Sequence, residues 1–352
     1  MICDSFVAEV LHCCESFSIL LNRIGIIVIL KGAQRCVFYT MPERIKMAQG
    51  KILLKPGTLW TSVKERTEEA LQCGVLLSIP TEFEFVEQDG VRFLVRILSN
   101  LNRKKVAKEK HQKQSATSGE EFNPFLPYEE DLFVADISDT HVCILNKFNV
   151  VDYHLLIITR AFEEQESLLT LEDFAAMWAC LADFDGLAFY NSGKTAGASQ
   201  RHKHLQLVPL PLAPSGPQIP IEPLLTAAKF QESIAFGASA TPTVGFTNAI
   251  PKLPFIHTFA PLNPHWVRSP FVGGQATLEV YRTLLHSVGT GAYNLLATRE
   301  WMLIVPRSQE HFQSISVNSL GFAGALLVKN AAEMEILKAQ GPMTILKSVA
   351  VC

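Results

Sequence analysis

Residues 189–211 read FYNSGKTAGASQRHKHLQLVPLP, and the second half of this stretch decides the fold. His202, His204 and Gln206 take every other position, with Leu205 and Leu207 interleaved. Successive side chains of a β-strand point to opposite faces, so the spacing predicts a strand with a polar working face and an apolar face turned into a core. Ahead of it, Gly193 to Gln200 is rich in glycine, alanine and serine. Small residues allow close backbone approach, and successive N–H groups in such a loop can cradle an anion.

An anion cradle leading into a histidine suggests chemistry on phosphorus. A neutral imidazole is available at pH 7 and attacks without first surrendering a proton. The phosphoramidate it forms is reactive enough to pass a nucleotide to a second acceptor. A neighbouring glutamine donates its amide to a non-bridging oxygen without adding charge, and Ser199 offers a hydroxyl from another side. Spacing alone leaves two other readings open. Histidines at i and i+2 can chelate zinc or copper, or they can be satisfied surface residues. The segment holds no cysteine and no acidic third ligand, which favours phosphorus.

Around this stretch, 352 residues with 48 % hydrophobic and 18 % charged content make a folded chain rather than a disordered one. A net charge of −3 provides no basic field to recruit nucleic acid or an anionic membrane. The eight cysteines include no CxxC pair and scatter irregularly, which argues against a tetra-cysteine zinc site and a disulfide framework and points to a cytoplasmic home. Residues 1–46 differ in character: FSILLNRIGIIVIL is apolar but interrupted by Arg23, too short for a membrane span, and lacks the flanks of a secretory signal. They are expected to be a non-native or poorly ordered extension.

From Met47 the patterns alternate. TSVKERTEEALQCGVLL predicts a helix, VRFLVRIL a strand, and LFVADISDTHVCILNKF two strands with a turn at Ser138–Thr140. NRKKVAKEKHQKQSATSGEE reads as an exposed basic loop. TLEDFAAMWACLADF predicts a helix with Thr170 as N-cap and Asp173 completing a capping box. The proline-rich PLPLAPSGPQIPIEP places a boundary near residue 215, between domains 47–215 and 216–352. The second half predicts helices over PLLTAAKFQESIA and GGQATLEVYRTLLHSV, a strand over PFIHTFAPL, and a strand pair over AYNLLATREWMLIVP. A single closing helix is expected over SLGFAGALLVKNAAEMEILKAQ, ending at Gly341 before Pro342. Strands and helices without regular βαβ alternation make the class α+β.

NSGKTAGASQRHKHLQLVPLP resembles the active-site motif of the diadenosine tetraphosphate phosphorylases, or ATP adenylyltransferases, of the histidine triad superfamily. LNKFNVVDYHLLIIT is similar to that family's ribose-binding strand, and AYNLLATREWMLIVPRS and SVNSLGFAGALLVKN to its carboxy-terminal half. The resemblance covers about residues 50 to 350. It implies antiparallel sheets with flanking helices and two related halves in one chain. It makes His204 the nucleophile at the α-phosphate, with Gln206 and the loop Gly197, Ala198, Ser199, Gln200 binding that phosphate. His202 would orient the nucleophile through its backbone carbonyl. Asn191 would contact nucleotide, and Asn146 with Lys147 the nucleoside end. Thr298, Arg299, Arg307 and Lys104 would add polyphosphate contacts. Arg201 and Asn149 stand where the family tends to have proline, so the local loops are expected to differ.

The reaction so implied is reversible cleavage of diadenosine tetraphosphate by inorganic phosphate to ATP and ADP, through an adenylyl-histidine. Mg²⁺ or another divalent cation would be held mainly through substrate phosphates, and the partners would be dinucleoside polyphosphates, ATP, ADP and phosphate. The same motif resembles hexose-1-phosphate uridylyltransferases, one alternative; a non-catalytic nucleotide-binding module is the other.

Overall fold

The computed structural model describes residues 50–98, 123–226, 250, 252–289 and 291–352, together with the backbone of three strands nearer the amino terminus. Those strands, β1 (Phe17–Asn22), β2 (Gly25–Leu30) and β3 (Val37–Tyr39), form an antiparallel sheet within a separate compact unit, Met1–Gln49. The rest of the expected extension over 1–46 lies outside the described residues, as does the basic loop read over 102–121.

Gly50–Cys352 forms one unit. It begins with helix α1 (Leu59–Gln72) and the hairpin of β4 (Thr81–Gln88) and β5 (Val91–Leu98). Next come β6 (Phe133–Asp136), β7 (His141–Leu145), β8 (Leu155–Thr159), α2 (Leu171–Leu181), β9 (Gly186–Asn191) and β10 (His204–Pro209). The proline-rich stretch that follows crosses without regular structure over residues 210–221. Beyond it lie β11 (Thr258–Pro261), α3 (Pro270–Val288), β12 (Tyr293–Ala297), β13 (Trp301–Pro306) and the small hairpin β14 (His311–Phe312) and β15 (Ile315–Ser316). The chain closes with α4 (Ser319–Phe322), β16 (Ala325–Val328), α5 (Ala331–Gln340) and α6 (Pro342–Val349).

Eight strands make one antiparallel sheet in the order β11-β13-β12-β9-β10-β8-β7-β6. Five come from before residue 215 and three from after it, joined where Asn191 of β9 stands opposite Asn294 of β12. The change in sequence character near 215 therefore falls inside one continuous sheet. One face carries Leu205, Leu207, Tyr190, Leu295 and Ile304 under α1, α2 and α3. Leu205 and Leu207 are fully buried, each contributing about 1.5–3 kcal/mol relative to exposure. Trp178 on α2 donates its indole N–H to Thr277 on α3, 2.7 Å away, tying the two helices across the apolar layer. The other face carries Phe189, Val208, Leu296 and Leu303, packed on Phe93, Val95, Leu326, Leu337 and Leu346 of the second sheet and the last two helices. That second sheet runs β16-β5-β4, with β16 parallel to β5. The class is α+β.

The closing helix expected over 319–340 is corrected: a helix, a strand and a second helix occupy it. Gly324 takes φ +86, a left-handed conformation that ends the first turn, and its Cβ would strike Pro220 at 2.7 Å. Asn330 then caps a new helix by accepting from the Glu333 N–H at 3.0 Å. Gly341 ends α5 as expected, but Pro342 opens α6 at its first position, where no N–H is needed. Strand β4, TEFEFVEQ, was not anticipated, although its alternation has the strand period. Of PLLTAAKFQESIA, only residues through 226 are described, and those are helical. Among the described residues no helix is long and apolar enough to cross a membrane.

Candidate active site

Strand β10 begins at His204, and an isolated bridge between His202 and Glu164 extends the pairing backwards. His204, Gln206 and Val208 share the face turned from α1, α2 and α3. The entry to β10 is held by Gln165: its side-chain oxygen accepts from the His204 N–H at 2.8 Å, and its amide donates to the carbonyls of His204 (3.2 Å) and Asn191 (2.9 Å). Tyr190 in turn donates its hydroxyl to the Gln165 carbonyl at 2.5 Å. Gln165 was not singled out in the sequence; nothing in its neighbours marks it.

His204 is 4 % exposed, and its Nδ1 lies 2.8 Å from the His202 carbonyl oxygen. A carbonyl accepts only, so Nδ1 carries the proton and Nε2 presents a lone pair. Among the described residues nothing bonds Nε2. Burial pushes the imidazole down to about 4, against a smaller raising effect of the His202 carbonyl, so the ring is neutral at pH 7. An uncharged, pre-oriented imidazole results.

His202 does not share a metal with it. Its Nε2 meets the Thr159 carbonyl at 2.8 Å and hydroxyl at 2.9 Å, and its Nδ1 meets the Asn123 amide nitrogen at 2.9 Å. Both ring nitrogens are committed, and the chelating reading of the histidine pair has no ligand atom to offer from this ring.

Gln206 lines a cavity of about 940 Å³. Its side-chain oxygen lies 2.9 Å from Nε2 of His154, and Nδ1 of His154 lies 3.1 Å from the Asn146 amide nitrogen. With Asn146 donating to Nδ1 and His154 donating from Nε2, the Gln206 oxygen is the acceptor. Its amide nitrogen is left with no hydrogen bond among the described residues, a neutral donor for an anionic oxygen. Asn146 thus lines the cavity as one end of an orienting chain, its own oxygen taken by the Phe148 N–H.

The loop after β9 lines the same cavity with Gly193, Gly197, Ala198, Ser199 and Gln200. Gly193 (φ +80) and Gly197 (φ +91) adopt left-handed backbone, and a Cβ on Gly197 would stand 2.8 Å from the Val317 carbonyl oxygen. The row of free N–H groups expected from the sequence is shorter than anticipated. Gly197 donates to Lys194 (2.9 Å) and Ala198 to Gly193 (3.1 Å), inside the loop itself. The N–H groups of Ser199 and Gln200 make no bond among the described residues. Lys194, missed by the sequence reading, adds an exposed ammonium to the cavity wall.

Asn191 lines the cavity, yet its side-chain oxygen is taken up by Asn294 (2.9 Å) and by the Ser319 N–H (2.9 Å) and hydroxyl (2.7 Å). Its amide nitrogen is what remains for a nucleotide. Four other expected contacts are not brought to the cavity. Lys147 pairs with exposed Glu129 at 2.6 Å. Thr298 accepts from the Glu300 N–H in the β12–β13 turn, and Arg299 bonds the Leu181 carbonyl and Asp185, both 2.6 Å away; this is the opposite end of β12 from Asn294. Arg307 is 4 % exposed and serves as a clamp below the loop, donating to Ala196, Val317, Gln309, Glu310, Val349 and Asn294. Lys104 lies outside the described residues.

On the opposite face, Lys203 is buried between Asp173 (2.7 Å) and Glu163 (3.0 Å), and Asp173 also bonds His141 at 3.0 Å. Burial works against both charges. The His141 bond and the Lys203 charge outweigh it and hold the Asp173 carboxyl below its ordinary range, and Asp173 with Glu163 raises the Lys203 ammonium. Asp173 closes the capping box with Thr170 at the start of α2, as the sequence implied. One buried lysine therefore fastens the start of β10 to both the 163–168 loop and α2.

An oriented amide and a glycine loop line one cavity, and the neutral ring of His204 stands two positions before that amide on the same strand face; together they define a site suited to nucleotidyl transfer. Two family models match the chain, the Ap4A phosphorylase N-terminal domain over residues 49–227 and the ATP adenylyltransferase C-terminal domain over residues 251–352. The chain belongs to the Ap4A phosphorylase family of nucleotidyltransferases. Among relatives, diadenosine 5′,5‴-P1,P4-tetraphosphate phosphorylase 2 of Saccharomyces cerevisiae is 29 % identical over 252 residues, covering 65 % of this chain and 75 % of the relative. Protein APA1 of the same yeast is 27 % identical over 307 residues, 78 % and 88 % of the two chains. The crystal structure of yeast Ap4A phosphorylase Apa2 superposes with a TM-score of 0.64 at 23 % identity, covering 84 % of this chain and 95 % of that one. The likeness shows the shared fold.

Proposed function

We propose that this protein cleaves diadenosine tetraphosphate with inorganic phosphate to ATP and ADP, reversibly, through an adenylyl group carried on His204. The observation that carries the proposal is the 2.8 Å contact of His204 Nδ1 with the His202 carbonyl, which leaves Nε2 as the attacking atom. Family membership and the phosphorylase activity for which a yeast relative is named support the substrate. In the first displacement the Nε2 lone pair forms the N–P bond, and the departing ATP keeps the electron pair of the broken P–O bond. As positive charge grows on the ring, the His202 carbonyl stabilises the proton on Nδ1. The Gln206 amide and the Ser199 and Gln200 N–H groups face the non-bridging oxygens. In the second displacement a phosphate oxygen attacks phosphorus and His204 leaves with its electron pair, giving ADP. Phosphate arrives already ionised, so no base is needed, and the amide of Gln206 offers none to water.

The cavity wall holds Glu164, Glu166, Glu310 and Glu333 against Lys194, Arg201 and Lys329. A tetraphosphate entering such a wall gains from a counter-ion, so Mg²⁺ or another divalent cation, carried mainly on the phosphates, belongs to the proposal. So do membership of the histidine triad superfamily and a cytoplasmic setting, supported by the motif and by cysteine usage.

The test is trapping. Protein incubated with α-labelled diadenosine tetraphosphate in the absence of phosphate should acquire label, release ATP, and yield ADP when phosphate is added. His204→Ala should acquire none. Label from a UDP-sugar instead would assign the uridylyltransferase alternative, and no label from either would leave a binding module.

A further inference from the structure

Asn123, Phe125 and Phe162 surround His202 outside the motif, and nothing in the proposed reaction uses them. His202 is 2 % exposed. Its Nε2 faces the Thr159 carbonyl at 2.8 Å, which fixes the proton on Nε2. Nδ1 must then accept, and the group in front of it is the Asn123 amide nitrogen at 2.9 Å. The amide cannot be turned round, because the Asn123 oxygen accepts from the Phe125 N–H at 3.0 Å. Phe125 and Phe162 set their ring edges against His202, each with centroids 5.6 Å apart, and Phe125 does the same to His204 at 5.3 Å. Both histidines therefore lie under one short turn that begins at Asn123.

We infer that Asn123 is a positioning residue for the nucleophile: its amide pins His202 in the neutral Nε2–H tautomer, and the pinned ring holds the His202 carbonyl on His204 Nδ1. The inference rests on the proposed role of His204. A proton on Nδ1 of His202 would meet the Asn123 N–H head on. If the proton moved from Nε2 to Nδ1, a lone pair would face the Thr159 carbonyl and the ring would be expelled. Either event disturbs the backbone at 202–203, which carries the oxygen that orients His204. The charged groups near His202 do not substitute for the pin. Glu163 faces the Lys203 ammonium at 3.0 Å, Lys203 itself points to the opposite sheet face with Asp173, and Arg201 pairs with Glu164. His204 is the titratable neighbour on the same face. Burial lowers His202 against the raising effects of the Thr159 carbonyl and Glu163, in keeping with a neutral ring.

Asn123→Asp tests this, because it keeps the shape and turns the donor facing Nδ1 into an anionic acceptor. With ¹⁵N-histidine labelling, wild-type His202 should show the neutral Nε2–H pattern at pH 7, and N123D should show an imidazolium with both nitrogens protonated. The rate constant for adenylylation of His204 should fall roughly 10–100-fold in N123D, the range expected when a reacting group is misplaced by about an ångström. Asn123→Ala, which removes the donor without recruiting a proton, should leave the ring neutral and lose less rate. A merely structural role would make the two variants alike. A wild-type proton on Nδ1 would overturn the tautomer assignment. An N123D protein with a charged His202 and an unchanged rate would overturn its link to the nucleophile. Should wild type form no adenylyl-protein at all, the proposed function fails, while the nitrogen pattern still reads the pin separately.

Discussion

Arg307→Lys separates two roles that the same residue could play. Read from its sequence resemblance, Arg307 contacts polyphosphate; in the structure its guanidinium points to six protein acceptors, five of them backbone carbonyls. A lysine has three donors on one nitrogen and cannot span carbonyls that lie on both sides of a planar fork. At least three of the six acceptors lose their guanidinium donor. Ala196, Glu310 and Val349 keep a second donor in the Asn294 amide and the Val317 and Ser308 N–H groups, so the cost is that of lost hydrogen bonds rather than orphaned acceptors, about 0.5–1.5 kcal/mol each and roughly 2–4 kcal/mol together. In a chain of this size that corresponds to a fall in Tm on the order of 10 °C. Burial lowers the Arg307 guanidinium to about 10, so it remains charged at pH 7 and the fork is intact there. Calorimetric melting of wild type and R307K, each with steady-state kinetics below the lower transition, gives the answer. The clamp predicts a large loss of Tm and a lower kcat, since the loop carrying Ala196 loses one of its two anchors, the other being the Asn294 amide. A Tm within about 2 °C of wild type, together with a raised KM that grows with salt, would restore the phosphate contact and refute the clamp.

Gln206→His should gain hydrolysis to AMP, because a ring nitrogen can take a proton from water where the amide cannot; product ratios unchanged from wild type would count against the role given to Gln206. The pH dependence of adenylylation should be flat through neutrality and fall below roughly pH 5, because His204 is held at about 4; a midpoint near 6.5 in the single-turnover rate would show an unshifted ring. The same depression makes stability pH-dependent. The unfolded histidine binds a proton near 6.5 and the folded one near 4, so stability is full above 6.5 and is lost as pH falls through that window, by roughly 3 kcal/mol for this group at about 1.4 kcal/mol per unit. Denaturant unfolding at pH 7 and pH 4.5 measures it, and the loss should shrink in His204→Ala.

The working strand was legible because its signal is local. A period of two, with histidine, histidine and glutamine on one side and two leucines on the other, specifies face and burial without knowledge of any neighbour, and Leu205 and Leu207 are buried as that period requires. The Thr170–Asp173 box is local in the same sense. The closing helix was misread because its apolar residues suit either period, and the residues that break it, Gly324 and Asn330, act through a left-handed turn and a cap inside the stretch. Partners distant in sequence were illegible. Gln165 reaches His204 across 39 positions and Asn123 reaches His202 across 79, and neither carries a pattern of its own.

The arginines show how far residue type can mislead. A cation near a phosphate motif is read as a ligand, since a charge in solution is attracted to an anion whatever else surrounds it. A folded chain presents a second class of partner, the carbonyls left over where a loop crosses a sheet end, and a guanidinium has five donors with which to collect them. Arg307 stands where the loop carrying Ala196 meets the segments at 309–317 and 349, so it is the backbone that claims it. Arg299 is claimed in the same way by the carbonyl of Leu181, the last residue of α2, and by Asp185. What the cavity wall keeps for an anion is the Gln206 amide, two loop N–H groups and Lys194, while Arg201 and Lys329 stand beside Glu164 and Glu333. On the function proposed above, a site built so would hold the transferring phosphorus without strong ion pairing, and the charge of the remaining phosphates would be balanced by a divalent cation carried on them.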